Sequence, residues 1–199
     1  MLNDKPFSQA CENNKQPILQ VISKVFKRPM TVWEIGSGTG QHASYFAQQL
    51  PHINWQPSDR KELLPGITQW VEDAQVQNLY PPIKLDVTDT LWLCTAIEGL
   101  FTANTLHIMS WNEVETLFSR LNELFRKNAV VCIYGPFNYH GTYTSDSNAQ
   151  FDRWLKETDP LSGIRDKEAV EALAQASGIQ LVDDVAMPAN NRLLVFNRT

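Results

Sequence analysis

The chain has 199 residues, of which 43% are hydrophobic and 20% charged, with a net charge of −5. These are the proportions of a soluble globular domain long enough to bury one full core. No basic block is present on which a phosphate-tracking surface could be built, so nucleic acid is not an expected partner.

The opening Met1-Leu2-Asn3-Asp4-Lys5-Pro6 lacks the apolar run of a secretory signal, and no stretch approaches the roughly 18 apolar residues that cross a bilayer. Cys11, Cys94 and Cys132 are odd in number and far apart, which points to neither a disulfide framework nor a metal site. A single cytoplasmic domain over 1–199 is the expectation, with 1–29 a helical lid and 30–199 the core.

In chain order, Asn14-Lys15-Gln16-Pro17 is expected to open a helix, because proline suits a first turn, and Ile18, Ile22, Val25 and Phe26 follow at helical spacing. Met30 to Ile35 reads as a buried strand ending at Gly36-Ser37-Gly38-Thr39-Gly40. Ala43, Phe46, Ala47 and Leu50 mark the next helix, His52 to Gln56 a second strand, and Ser58 to Glu62 the start of another helix. Ile83 to Leu85 is a third strand, and Asp89 is placed to cap a short helix up to Glu98.

Leu100 to Ala103 is a fourth strand, followed by a loop to Trp111 and an amphipathic helix through Val114, Leu117, Phe118, Leu121, Leu124 and Phe125. Ala129 to Tyr134 is a fifth strand, and a polar stretch from Asn138 to Asn148 reads as a loop. Asp166 can cap a helix to Ala176, and two strands, Ile179 to Ala186 and Arg192 to Asn197, close the chain as a hairpin. Alternating strands and helices imply an α/β fold: a Rossmann-like, seven-stranded, mostly parallel sheet with helices on both faces and a C-terminal antiparallel hairpin.

Ligands of such sheets bind beyond the carboxyl ends of the strands. Three successive strand ends carry chemistry. Glu34-Ile35-Gly36-Ser37-Gly38-Thr39-Gly40 places glycines where the backbone must turn tightly and approach a ligand, ahead of a helix whose free N–H groups favour an anion. A dinucleotide fingerprint is G-x-G-x-x-G, and here the third glycine falls one position early.

Asp59, nineteen positions past Gly40, is placed to accept from both ribose hydroxyls, with Arg60 beside it; as an alternative, Asp59 caps a helix, with Glu62 completing a capping box. Asp86 can accept from an adenine amino group while Val87 offers its backbone, or it can serve a turn through nearby backbone N–H groups.

On these residues the chain resembles the methyltransferase-like protein 26 family, a little-characterised group of class I S-adenosylmethionine-dependent methyltransferases. The matching segments are Glu12 to Ile18, Glu34 to Ala43, Trp55 to Asp59, Leu85 to Thr88, and Asn104 with His107-Ile108. They continue with Tyr134 to Pro136, Ser147-Asn148, Phe151-Asp152, Gly163 to Asp166 and Met187 to Asn191. The chain departs from the family at Asn13, usually basic, and at Ser110, commonly proline. The resemblance implies the class I fold and S-adenosylmethionine, released as S-adenosylhomocysteine, and leaves the methyl acceptor unnamed.

Methyl transfer from a sulfonium needs alignment and water exclusion, and a base only for an acceptor that is protonated at neutral pH. Asn104 and His107 follow the fourth strand, near the expected methionine end, with His107 either a base or structural. Tyr134, Pro136 and Tyr139 follow the fifth strand and are candidate walls of an acceptor pocket, Tyr139 being a second candidate for catalysis or else packing.

Asn148, Asp152 and Arg165 are candidate acceptor ligands, with an internal Asp152–Arg165 pair the alternative for the last two. Asn14 and Lys15 belong to the helical lid or cap it, and Asn190-Asn191 suits a turn. The expected protein is a monomeric or homodimeric small-molecule methyltransferase; a non-catalytic binder of the same cofactor is the alternative, and a nicotinamide-dependent oxidoreductase is disfavoured by the glycine spacing and the hairpin.

Overall fold

The computed structural model describes residues 5–92 and 96–198. Cys94 and the middle of the helix expected from Asp89 to Glu98 lie outside these residues. The elements are α1 (Gln9–Val25), β1 (Met30–Ile35), α2 (Gln41–Gln49), β2 (Ile53–Asp59), α3 (Leu64–Ala74), β3 (Ile83–Lys84), β4 (Ile97–Ala103) and α4 (Trp111–Leu124). They continue with β5 (Phe125–Gly135), β6 (Phe137–Asn138), α5 (Asp146–Thr158), β7 (Arg165–Asp166), α6 (Lys167–Ala176), β8 (Ile179–Met187) and β9 (Asn191–Arg198).

A seven-stranded sheet has the order β3-β2-β1-β4-β5-β9-β8. β2 and β4 run parallel to β1, and β3 runs parallel to β2, whereas β9 is antiparallel to β5 and β8. The chain works outward from β1 to β3 and then returns to β4 on the other side of β1, a Rossmann-like switch point. The expected sheet and terminal hairpin are both present. The chain divides into two compact units, Met1–Thr102 and Ala103–Thr199.

The first unit is built on an aromatic cluster. Phe46 lies 5.4 Å from both Trp55 and Phe101 between ring centroids, Trp55 and Phe101 are 5.6 Å apart, and His42 stacks on Phe46 at 5.2 Å. Helix α1 starts at Gln9, five residues earlier than expected, because the Ser8 hydroxyl accepts from Cys11 N and supplies the cap. Pro17 therefore sits inside the helix at the cost of one backbone bond.

Tertiary contacts offset that cost: Ile18 and Ile22 are fully buried, and Asn14 Oδ1 meets His42 Nε2 at 2.6 Å. Strand β2 continues past the expected Gln56 because Pro57 occupies a register position opposite Glu34 and Ser58 one opposite Ile35. The helix expected to start at Ser58–Glu62 begins a few residues later, as a 3₁₀ turn, Lys61–Leu63, that continues into α3. Residues 89–92 are not helical, and β4 begins at Ile97, inside the stretch expected to be helix.

The second unit packs the apolar faces of β5 and β9, with Val131, Cys132, Ile133, Leu193, Leu194 and Phe196 all buried. Strand β5 starts at Phe125, a residue expected to end the preceding helix. Ser110 caps α4 in a reciprocal box: Glu113 N donates to its hydroxyl at 3.2 Å, and its own N–H donates to Glu113 Oε2 at 2.7 Å.

Helix α5 occupies residues expected in part to be loop; Ser145 caps it, accepting from Asn148 N. The short parallel pair β6–β7 has no counterpart in the sequence pattern. In the hairpin turn, Ala189 and Asn190 are left-handed at φ 57 and 58, as a tight turn requires.

Gly99 on β4 sits where a Cβ would lie 2.8 Å from Val32 Cγ2 and 3.0 Å from Met30 Sδ. Gly99→Ala is expected to destabilise the fold by about 1–3 kcal/mol through overpacking. The check is a lower denaturant midpoint with an unchanged slope, and a midpoint equal to wild type would contradict it.

Candidate active site

The glycine loop is tied to the end of β2 by three backbone donors. Gly36 N and Ser37 N both donate to Ser58 O, at 3.0 and 3.1 Å, and Gly38 N donates to Asp59 Oδ2 at 2.7 Å. The other carboxylate oxygen of Asp59 accepts from Arg60 N at 2.7 Å. Asp59 belongs to β2 and caps no helix, so the capping-box alternative is absent. Burial pushes the Asp59 carboxyl above its usual range, opposed by the Gly38 and Arg60 N–H groups.

Gly38 has φ +58, and a Cβ there would meet nothing within 4 Å, so the loop presents bare backbone to open space. Gly40, at φ +91, faces the other way, and its Cβ would press on Ile67 Cα at 3.0 Å. One glycine leaves room outside the loop, and the other lets α3 approach it.

Glu34 is buried, and its commitments are internal. Its Oε2 accepts from Trp55 Nε1 at 3.0 Å and from Ser37 Oγ at 3.1 Å, while its main-chain oxygen accepts from Ser58 Oγ at 2.7 Å. The aromatic core thus seats the Trp55 ring, and Glu34 satisfies the ring's N–H. Burial pushes the Glu34 carboxyl up to about 7, with the Asp59 charge adding to the effect and the two hydrogen bonds opposing it.

Asp86 follows β3, where Leu85 N donates to Asp59 O at 2.9 Å. Its Oδ1 accepts from Thr88 N at 2.9 Å and Thr88 Oγ1 at 2.7 Å, the turn chemistry open to it from the sequence. Its Oδ2 faces Arg60 Nε at 3.6 Å, and these contacts hold its carboxyl below the usual range. Val87 is buried in the turn. Glu34, Gly36, Ser37, Gly38, Gly40, Asp59, Arg60, Asp86 and Val87 therefore gather at one end of β1, β2 and β3.

In the same unit, Asn14 is engaged with His42, and Lys15 pairs with Glu12 at 2.5 Å. Lys15 and Glu12 line an open cavity of about 190 Å³ together with Gln41, Tyr45 and Trp70. Burial holds His42 down to about 4, so it is a neutral core histidine.

In the second unit, Asn104 is left-handed at φ 58 and its N–H donates to Tyr134 O at 2.9 Å. His107 is buried, with its ring edge against Phe151 at 5.3 Å. A Cβ on Gly135, at the end of β5, would stand 3.7 Å from His107 Nδ1 and 3.8 Å from Asn104 Oδ1, so these two side chains share one strand end. Burial, then the Arg165 charge, hold His107 down to about 4 and keep it uncharged at neutral pH.

Tyr134 is buried. Tyr139 donates to Asp184 Oδ2 at 2.7 Å, and burial with that partner pushes its phenol up to about 12. Asn148 Nδ2 donates to Thr144 Oγ1 at 2.9 Å and to Asn190 O at 3.2 Å. The ion-pair partner of Asp152 is Lys156, at 2.6 Å, while Arg165 donates to main-chain carbonyls. The pairing of Trp55 with Glu34 and of Ser162 with the Ile108 carbonyl has no signal in the sequence, and Phe151, part of a matching segment, carries none that places it against His107. Phe151 and Trp154, stacked at 5.8 Å, were visible as helically spaced aromatics.

Among the described residues no His, Cys, Asp and Glu group could hold a metal ion, and no helix is long and apolar enough to cross a membrane. The strand order and the looped end of β1 define the class I methyltransferase fold. An O-methyltransferase family protein from Burkholderia thailandensis shares it with a TM-score of 0.83 at 15% identity, over 96% of this chain and 57% of its own. The S-adenosylmethionine-dependent methyltransferase SibL, in its apo form, gives 0.79 at 19% identity over 95% and 55%. An O-methyltransferase family 2 protein from Planctomyces limnophilus DSM 3776, in complex with apigenin, gives 0.79 at 13% identity over 96% and 60%.

This chain thus spans little more than half the length of these proteins. It belongs to the family described as "Protein of unknown function (DUF938)", which it matches over residues 5–198.

The raised Glu34 carboxyl makes a stability prediction. A buried acid whose folded pKa lies above its unfolded value costs nothing while it is protonated in both states, below about 4.5. It destabilises the fold progressively as pH rises towards about 7. Relative to Glu34→Gln, the wild type is expected to lose on the order of 3 kcal/mol across that window and then level off. Denaturation at stepped pH measures this, and a pH-independent difference would contradict it.

Proposed function

We propose that the chain is an S-adenosylmethionine-dependent methyltransferase acting on a small-molecule acceptor, with kinship to the methyltransferase-like protein 26 family. The observation that carries this reading is the Asp59 carboxylate, which holds Gly38 N at 2.7 Å beside backbone left open to space. Each Asp59 oxygen has one backbone donor and a further lone pair, the arrangement needed to accept a ribose diol.

The proposed assignment of residues follows the cofactor from one end to the other. Asp59 would take the ribose, Asp86 and the Val87 backbone the adenine, and the glycine loop the methionine end. Arg60 steadies Asp86. Glu34 acts from beneath the loop, through Ser37 and Trp55. Bound there, the cofactor supplies an electrophilic methyl group.

For the acceptor, His107 is the proposed base: its ring is uncharged at neutral pH, and taking a hydroxyl proton would require acceptor binding to relieve the burial that holds it down to about 4. The similar structures include O-methyltransferases, one of them in complex with apigenin, which supports a hydroxyl acceptor of small size. Tyr139, donating to Asp184 with its phenol pushed up to about 12, supports a wall of the pocket better than a proton acceptor. Asn14, Lys15, Tyr134 and Asn148 are proposed as further contacts for the acceptor. A cytoplasmic monomer or homodimer is the form proposed, with the sparse, widely spaced cysteines in support.

Asp59→Ala is expected to weaken S-adenosylhomocysteine binding by about 1–3 kcal/mol, the cost of unpairing buried polar groups. Titration calorimetry reads this, and unchanged affinity would refute the ribose role. His107→Ala is expected to keep that affinity while abolishing transfer of labelled methyl to metabolites of a cell extract. Transfer by the variant at the wild-type rate would remove the base. Tight binding with no transfer by the wild type would favour a non-catalytic cofactor-binding protein.

A further inference from the structure

Four consecutive carbonyls around His107 are taken by one short segment of the second unit. Arg165 Nε donates to Leu106 O at 3.0 Å, Gly163 N to His107 O at 2.8 Å and Ser162 Oγ to Ile108 O at 2.6 Å, while Arg165 Nη2 donates to Met109 O. The same Nη2 closes back on Leu161 O at 3.0 Å.

The gripping segment is itself fixed from behind. Ile164 N donates to Asp152 Oδ1 at 2.7 Å, and Asp152 Oδ2 accepts from Tyr143 and Lys156, each at 2.6 Å. Gly163 leaves no space for a larger residue, since a Cβ would lie 3.0 Å from both Asp152 Oδ1 and Lys156 Cε. Asp152 is 2% exposed, so this anchor is shielded from solvent.

A loop keeps one conformation only when its carbonyls find fixed partners, and water otherwise supplies many equivalent ones. Here the fixed partners fall on His107 and on both of its neighbours. We propose that Arg165 is a positioning residue: with Ser162 and Gly163 it grips the carbonyls on either side of His107 and holds the imidazole at the end of β5. The proposal rests on His107 being the proton acceptor of the function proposed above.

A guanidinium suits the task because its rigid planar fork holds its donors at fixed, well-separated positions, whereas an ammonium is a compact point charge on a flexible stem. Arg165 is also the charge that acts on His107, while Asp152 and Glu113 act on Arg165 in turn. The guanidinium carbon lies over the Trp111 ring, 5.9 Å from its centroid. The two roles separate in a lysine variant, which keeps the charge and loses the fork.

The test is an NMR titration of the full chain labelled in its histidine rings, with His107 assigned from His107→Asn. In the wild type, His107 is expected to titrate near 4. Both Arg165→Gln and Arg165→Lys are expected to move the midpoint up by about one unit or more as the loop loosens and hydrates. The Ile108 and Met109 amides, bonded to Thr105 O, should exchange about tenfold faster.

Ser162→Ala removes only the Ile108 grip and should move both readings the same way by less, which keeps the test decisive if the arginine variants fail to fold. A lysine variant identical to wild type, or unmoved readings in Arg165→Gln and Ser162→Ala, would overturn the proposal. S-adenosylhomocysteine titrated into the same samples separates the two ideas. No binding by the wild type defeats the methyltransferase reading, whereas binding alongside an unmoved His107 defeats the positioning role alone.

Discussion

The hydrogen bond from Gly38 N to the Asp59 carboxylate, at 2.7 Å, is the constraint from which the site follows. It closes the loop after β1 onto the end of β2 and fixes where the bare backbone of that loop faces. It holds only because the strands beneath are in register, with Glu34 opposite Pro57 and Ile35 opposite Ser58. That register rests on the aromatic core, where Trp55 is fully buried and its ring N–H must find an acceptor. Glu34 is that acceptor, and the burial that forces the pairing is also what raises its carboxyl. Packing, hydrogen bonding and electrostatics are here one arrangement.

The parts of the fold governed by local pattern were legible in the sequence. Strand β1, the glycine turn, the α4 stripe and the terminal hairpin follow from apolar periodicity and from residues that tolerate unusual backbone. At α1 and β2 a tertiary contact overrides a local rule. Pro17 lies inside α1 because buried isoleucines and the Asn14–His42 contact hold the helix through it. Pro57 does not end β2, because the strand is paired on its β1 side up to Ser58. Helix α5 is polar over its first turn, and its cap, Ser145, was passed over inside a stretch that looked like loop.

The candidate site was legible to a similar degree, and the split is instructive. The positions of Asp59 and Asp86 after successive strands could be read from spacing. What each carboxylate bonds to could not, because the partners are backbone N–H groups brought in by the fold. Asp86 shows the turn chemistry, whereas Asp59 does not form the cap that its neighbour Glu62 suggested. Asp152 and Arg165, both polar and both near motifs, spend their hydrogen bonds inside the protein. Residue type alone does not tell a binding group from a brace.

The most direct test of the account is a crystal structure of the full chain with S-adenosylhomocysteine. The account predicts both ribose hydroxyls within hydrogen-bond distance of the Asp59 carboxylate, with the loop still closed through Gly38. A ligand bound elsewhere, or one that turns its adenine or carboxylate towards Asp59, would contradict it.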